Sequence, residues 1–102
     1  MAILKENPTL PDLQSYIKTV CEERGWDNNN HLEMFLLFTE EIGELAKAIR
    51  ASSNLYQEKG KERSKEDIKK ELEGEFADVF NYLLDLANYF DVDLEKAFRE
   101  KE

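Results

Sequence analysis

The chain has 102 residues, enough for one domain with a modest core and few enough that association with another subunit would help to bury apolar surface. Acidic residues outnumber basic ones by 23 to 14, a formal charge of −9, which argues against sequence-independent binding to nucleic acid polymers or to anionic membranes. A single cysteine, Cys21, excludes an intrachain disulfide and the stapled class of small secreted domains, so a cytoplasmic location is expected.

The N-terminal apolar piece, Ala2-Ile3-Leu4, is too short for a signal peptide, and no run approaches the length that spans a bilayer. Glycine and proline are scarce and both prolines precede Asp12, which leaves the remainder free to be helical. The expected fold class is all-α, in a single domain over residues 1–102.

In chain order, Thr9-Leu10-Pro11-Asp12 reads as a helix start, with Thr9 as N-cap, a proline in the first turn and an acid three residues after the cap. Leu13, Tyr16, Ile17, Val20 and Cys21 then form one apolar stripe, and Gly25 follows Arg24 as a stop. Trp26 opens a polar turn, Asp27-Asn28-Asn29-Asn30, whose last residue can cap a new helix together with Glu33.

That second helix is expected over His31 to about Ser52, with apolar residues on more than one face, and hence central and buried on several sides. Gly43 inside it implies a close helix contact or room for a ligand beside Glu44. Ser53 to Ser64 reads as a loop. Its cations Lys59, Lys61 and Arg63 could reach toward bound phosphates or could simply be solvated.

Ser64 can cap a third helix that runs to about Phe90, and Asp91-Val92-Asp93 a short last one with Leu94, Ala97 and Phe98 facing inward. On the third helix Glu71, Glu75, Asp78 and Tyr82 are read as one face, and Asn81, Asp85 and Asn88 as a separate polar edge outside any site.

Glu40, Glu41 and Glu44 lie in an otherwise apolar helix, and Glu41 and Glu44, one turn apart, share a face. Glu75 and Asp78 repeat the spacing in the next apolar helix. Carboxylates that converge repel unless a cation joins them, and two helices that face one another with two acids each could cage a hard divalent ion such as Mg2+ or Mn2+. No basic residue occupies the one-turn positions Leu37, Ala48 or Tyr82. From the residues alone, a cation cage and an acidic solvated edge both stay open. His31, the single histidine, reads as a capping or surface residue and Cys21 as core, so Cys-His and Ser-His hydrolase chemistry is not expected. No glycine-rich phosphate loop is present.

The pattern Glu40-Glu41-x-x-Glu44 followed by Glu75-x-x-Asp78 resembles the signature of the MazG-like nucleotide pyrophosphohydrolases, in the all-α NTP pyrophosphatase superfamily. Arg24-Gly25-Trp26, Glu41-Ile42-Gly43-Glu44-Leu45-Ala46, the stretch Glu75 to Leu83 and Val92 to Ala97 also resemble family wording, so that the likeness covers most of residues 10 to 101.

The resemblance implies a bundle of four to five helices, assembled as a homodimer or homotetramer. It also implies hydrolysis of (deoxy)nucleoside triphosphates between the α and β phosphates, in the manner of nucleotide-pool house-cleaning. Mg2+, or Mn2+ in its place, would be held by Glu41, Glu44, Glu75 and Asp78; Glu40 would hold a second ion or orient the attacking water, and Glu40 and Glu41 are the expected catalytic residues. Trp26 and Tyr82 match positions near base or sugar in small dCTP-type relatives. Many small relatives follow the last helix with a Lys, an Asn and an Arg that contact substrate; Lys101 matches the first, and the other two have no counterpart, which bears on phosphate or sugar contacts and not on the metal site. The alternative implied is a helical interaction module that keeps the fold without the activity.

Overall fold

Each helix begins where the sequence supplies a cap. In the computed structural model, which describes residues 1–53, 60 and 63–102, the order is α1 (Leu10–Glu23), α2 (His31–Ser52), α3 (Lys65–Tyr89) and α4 (Leu94–Lys101). No strand occurs among the described residues. Thr9 accepts from the Asp12 amide while the Asp12 carboxylate accepts from Thr9 N–H, and Asn30 and Glu33 repeat this reciprocal box at α2. Ser64 and Asp93 cap α3 and α4.

Two helix ends close in the same way. Gly25 adopts φ 70°, and the bonds Trp26 N–H to Cys21 C=O (2.8 Å) and Gly25 N–H to Glu22 C=O (3.3 Å) complete a Schellman turn after α1. Glycine suits that left-handed position because it has no Cβ to clash. After α3 the same pair of bonds forms around Asp91, whose φ is 55°.

The two long helices pack as an antiparallel pair: His31 at the start of α2 stacks on Tyr89 and Phe90 at the end of α3, and Glu41 meets Asp78 midway. On these two helices Met34, Ala48, Leu84 and Ala87 are buried. α1 lies on α3 and touches α4. A buried glutamine makes that junction: Gln14 donates to Asn88 Oδ1 (3.1 Å) and the Val92 carbonyl (2.8 Å), and it accepts from the Leu94 amide (3.0 Å). Asn88 returns a bond to the Gln14 carbonyl (2.8 Å).

Several expectations are corrected here. α2 is buried on one side only; Leu32, Phe35, Leu36, Ile42 and Ile49 are exposed, Leu36 by 69%. Phe76, Phe80 and Leu83 on α3 and Phe90 at its C-cap are exposed too, as are Ala97 and Phe98 on α4, which do not face inward. The reason is geometric: α2 packs chiefly on α3, and α3 on α2 and the 14-residue α1, so the other faces of both long helices have no helix of this chain over them. A Cβ at Gly43 would meet nothing within 4 Å among the described residues, so of the two expected reasons for this glycine the close helix contact is not made there. Lys59 and Lys61 lie outside the described residues.

Candidate functional site

A cleft of about 500 Å3 opens between α1, α2 and α3. Ile17, Val20, Met34 and Leu37 give it apolar walls, and Glu41, Asp78 and Asp85 give it carboxylates. The Schellman turn after α1 brings Trp26 to the rim, where the Arg24 guanidinium stands 4.9 Å from its ring centroid. Tyr82 enters from α3, one turn beyond Asp78.

At the α2–α3 seam three carboxylates converge. Glu41, Glu75 and Asp78 each place one oxygen within 4.8 Å of the others; the first two are half-buried and the third is exposed. Among the described residues no lysine or arginine forms an ion pair with any of the three. Glu75 Oε2 is buried and has no hydrogen-bond partner among those residues. Glu44 and Glu40 are exposed and stand outside the triad. Lys101 is exposed in the last turn of α4 and is not among the residues lining the cleft. Arg63 pairs with Glu71, one turn before Glu75, which sets a cation beside the acidic face of α3.

Asn81 and Asp85 contradict the sequence reading, for both line this cleft. Seven residues at 3.6 per turn return nearly to the starting direction, so Asp85 lies only about 20° around α3 from Asp78. Of the supposed polar edge, Asn88 alone turns away, toward Gln14 on α1. Asn29, Arg24 and Cys21 also line the cleft without having been read as site residues. Position relative to Trp26 was the available signal for the first two.

Comparison with known proteins gives the family. The MazG nucleotide pyrophosphohydrolase domain matches residues 29–101. The chain belongs to that family. It is similar to uncharacterized protein YvdC of Bacillus subtilis (strain 168), 35% identical over 96 residues that cover 90% of this chain and 91% of the relative. It is similar also to uncharacterized protein YpjD of the same strain, 34% identical over 89 residues, covering 87% and 76%. The MazG match takes in α2, α3 and α4 with all five acids of the paired motif, while α1 and Trp26 lie ahead of it.

In the acidic cluster of this MazG-family chain, burial and mutual repulsion act together. Burial raises the Glu41 carboxyl above its ordinary range, and the charges of Asp78, Glu75, Glu40 and Glu44 push it further. Glu75 is raised likewise, by burial first and then by Asp78, Glu44 and Glu71. Glu44 thus acts electrostatically on both members without joining the triad. The Tyr82 phenol is raised by burial and then by Glu41 and Asp78, so it remains a protonated donor at neutral pH. Cys21 is pushed up to about 11 by burial and by Asp85, and a thiol held in that form is no nucleophile. An acid-only cluster that repels itself, beside a cleft with an aromatic rim, is suited to holding a cation and an anionic ligand together.

Proposed function

We propose that this chain hydrolyses ribo- or deoxyribonucleoside triphosphates at the α-β phosphate bond, giving the monophosphate and pyrophosphate, with Mg2+ or in its place Mn2+. The observation that carries the reading is the buried Glu75 Oε2, which has no hydrogen-bond partner among the described residues, in a residue that places a carboxylate oxygen within 4.8 Å of Glu41 and Asp78. Anions so placed need either protons or a cation. Every donor is a carboxylate oxygen, the set that hard divalent ions prefer. Glu41, Glu75 and Asp78 would hold the ion, with Glu44 as the fourth ligand. When bound, it supplies charge neutralisation and polarisation of the phosphate oxygens.

The protein's own residues do the rest. Glu40, adjacent to Glu41, orients a water and receives its proton as the water oxygen bonds to the α-phosphorus; the bond to the bridging oxygen breaks, and pyrophosphate leaves in line. Glu41 contributes to placing that water. Trp26 and Tyr82 flank the nucleoside. Lys101, outside this chain's own cleft, would meet substrate from a neighbouring subunit.

That neighbour is a second copy of the chain. On α2 the exposed residues Leu32, Phe35, Leu36, Ile42 and Ile49 recur at helical spacing around Gly43 and Ala46, and the exposed Phe76, Phe80 and Leu83 form a stripe on α3. A homodimer, or a pair of dimers, would cover them and use the open face at Gly43. Hydrolysis in heavy-oxygen water tests the bond assignment: label in the monophosphate supports attack at the α-phosphorus, and label in pyrophosphate refutes it.

A further inference from the structure

We propose that Asp85 reads the base, accepting a hydrogen bond from an exocyclic amine and so favouring adenine, cytosine and guanine nucleotides over uracil and thymine ones. The inference rests on the nucleotide reading of this cleft. Asp78, Tyr82 and Asp85 stand at i, i+4 and i+7 along α3, all lining the same cleft. Asp85 is therefore about 10.5 Å along the helix axis from Asp78 and on nearly the same face. That displacement is comparable with the span from the α-phosphate of a nucleotide to the hydrogen-bonding edge of its base. With the phosphates at the Asp78 end and the nucleoside beside Tyr82, the base edge falls at Asp85.

The side chain is already oriented for this. Cys21 on α1 donates its S–H to Asp85 Oδ1 at 3.7 Å, and the second carboxylate oxygen makes no hydrogen bond among the described residues. Burial pushes the Cys21 thiol up to about 11, with Asp85 contributing, so the S–H remains a donor at neutral pH. A carboxylate only accepts, whereas the amides of Asn29 and Asn81, also at the cleft, both donate and accept and can suit either kind of base. Uracil and thymine present carbonyl oxygens on both sides of N3–H, which repel a carboxylate. The other three bases offer an amine. In a half-buried setting such a mismatch leaves an acceptor unpaired, and discrimination of this sort is worth about 1–3 kcal/mol, or roughly 5- to 150-fold.

The test compares kcat/KM for dATP, dCTP, dGTP, dUTP and dTTP with Mg2+, for the wild type and Asp85→Asn. In parallel, the five corresponding monophosphates are titrated against the fluorescence of Trp26, the chain's single tryptophan, which needs no turnover. The wild type is expected to favour amine-bearing bases by about tenfold or more in both measurements, and Asp85→Asn to bring the ratio within about twofold. Equal or reversed wild-type preference overturns the proposal even if the variant fails to fold, as does an unchanged ratio in a folded variant. Should no triphosphate be hydrolysed, the reaction reading fails, and the monophosphate ratios decide the role of Asp85 by the same criteria.

Discussion

Glu41 on α2 and Asp78 on α3, 37 residues apart in sequence, place carboxylate oxygens within 4.8 Å of one another across the helix seam, with the half-buried Glu75 completing the group. Two long antiparallel helices hold these charges together, and Met34, Ala48, Leu84 and Ala87 on them are buried. Apolar burial thus sustains an arrangement that electrostatics alone would disperse.

The first consequence is a pH dependence of stability. The carboxyls of Glu41 and Glu75 lie above their ordinary 4.5 in the folded chain, so the native state binds their protons more tightly than the unfolded state does. The stability this contributes is complete below the ordinary value and is lost as pH rises through the raised values. Asp85 acts in the same sense, whereas Asp12 and Glu23, held low, contribute stability that is lost only as pH falls through their lowered values. Metal-free protein is expected to melt higher on mild acidification from neutrality and lower on stronger acidification.

Metal should reverse that penalty. Mg2+ or Mn2+ at about a hundredfold excess over Kd is expected to add about 2.7 kcal/mol at neutral pH, read as a rise in Tm. The rise should shrink as protons compete for the same oxygens on acidification. An equal rise at both pH values would place the ion elsewhere.

Glu41→Gln and Asp78→Asn keep shape and remove metal-binding charge. Both are expected to fold, to melt at or above the wild-type Tm when metal-free, and to lose more activity than the ~10–100-fold that removal of an outer-shell partner costs. Thermal melts and turnover assays on the same samples check both halves. Wild-type turnover in either variant would remove that residue from the site.

Much of this was legible in the sequence. The caps at Thr9, Asn30 and Ser64 are local, because each needs only residues within one turn, and they set three helix starts correctly. Spacing suggested that acids from two apolar helices could meet, and Glu41, Glu75 and Asp78 do come together, but Glu44, expected with them, stands outside the group. Asp85 was misplaced by treating it as a separate edge, although two turns of helix return it to the Asp78 face. Gln14 was not legible. On an amphipathic helix it looks like one more solvated polar residue, and only the return of the chain through Val92 and Leu94 reveals its partners. Nor could periodicity tell apolar surface covered within the chain from the exposed stripes of α2 and α3, because both carry the same pattern.

Gln14→Ala should expose that hidden role. It removes the side-chain partner of the Val92 carbonyl, the Leu94 amide and Asn88 Oδ1, while Asn88 keeps its bond to the backbone carbonyl of residue 14, and an unpaired group costs about 1–3 kcal/mol when buried. Partial access of water gives an expected loss of about 2–4 kcal/mol, measured by urea unfolding. A loss within the ordinary surface range of about 0.5 kcal/mol would contradict the junction.

Leu36→Glu addresses assembly. Leu36 is 69% exposed in the single chain, and a charge there should not disturb its own core. In a dimer that covers the α2 stripe the substitution buries an unpaired carboxylate, so the mass by light scattering is expected to drop to that of a monomer. A wild type that is already monomeric, or a variant whose mass is unchanged, would exclude this face as the interface.

The most direct measurement is pyrophosphate release from a panel of ribo- and deoxyribonucleoside triphosphates with Mg2+, with Mn2+ and with a chelator, with the second product identified. Metal-dependent release of pyrophosphate together with the nucleoside monophosphate is expected, abolished by chelation. Release of orthophosphate with a diphosphate, or no turnover of any triphosphate by folded, metal-loaded protein, would contradict the assignment.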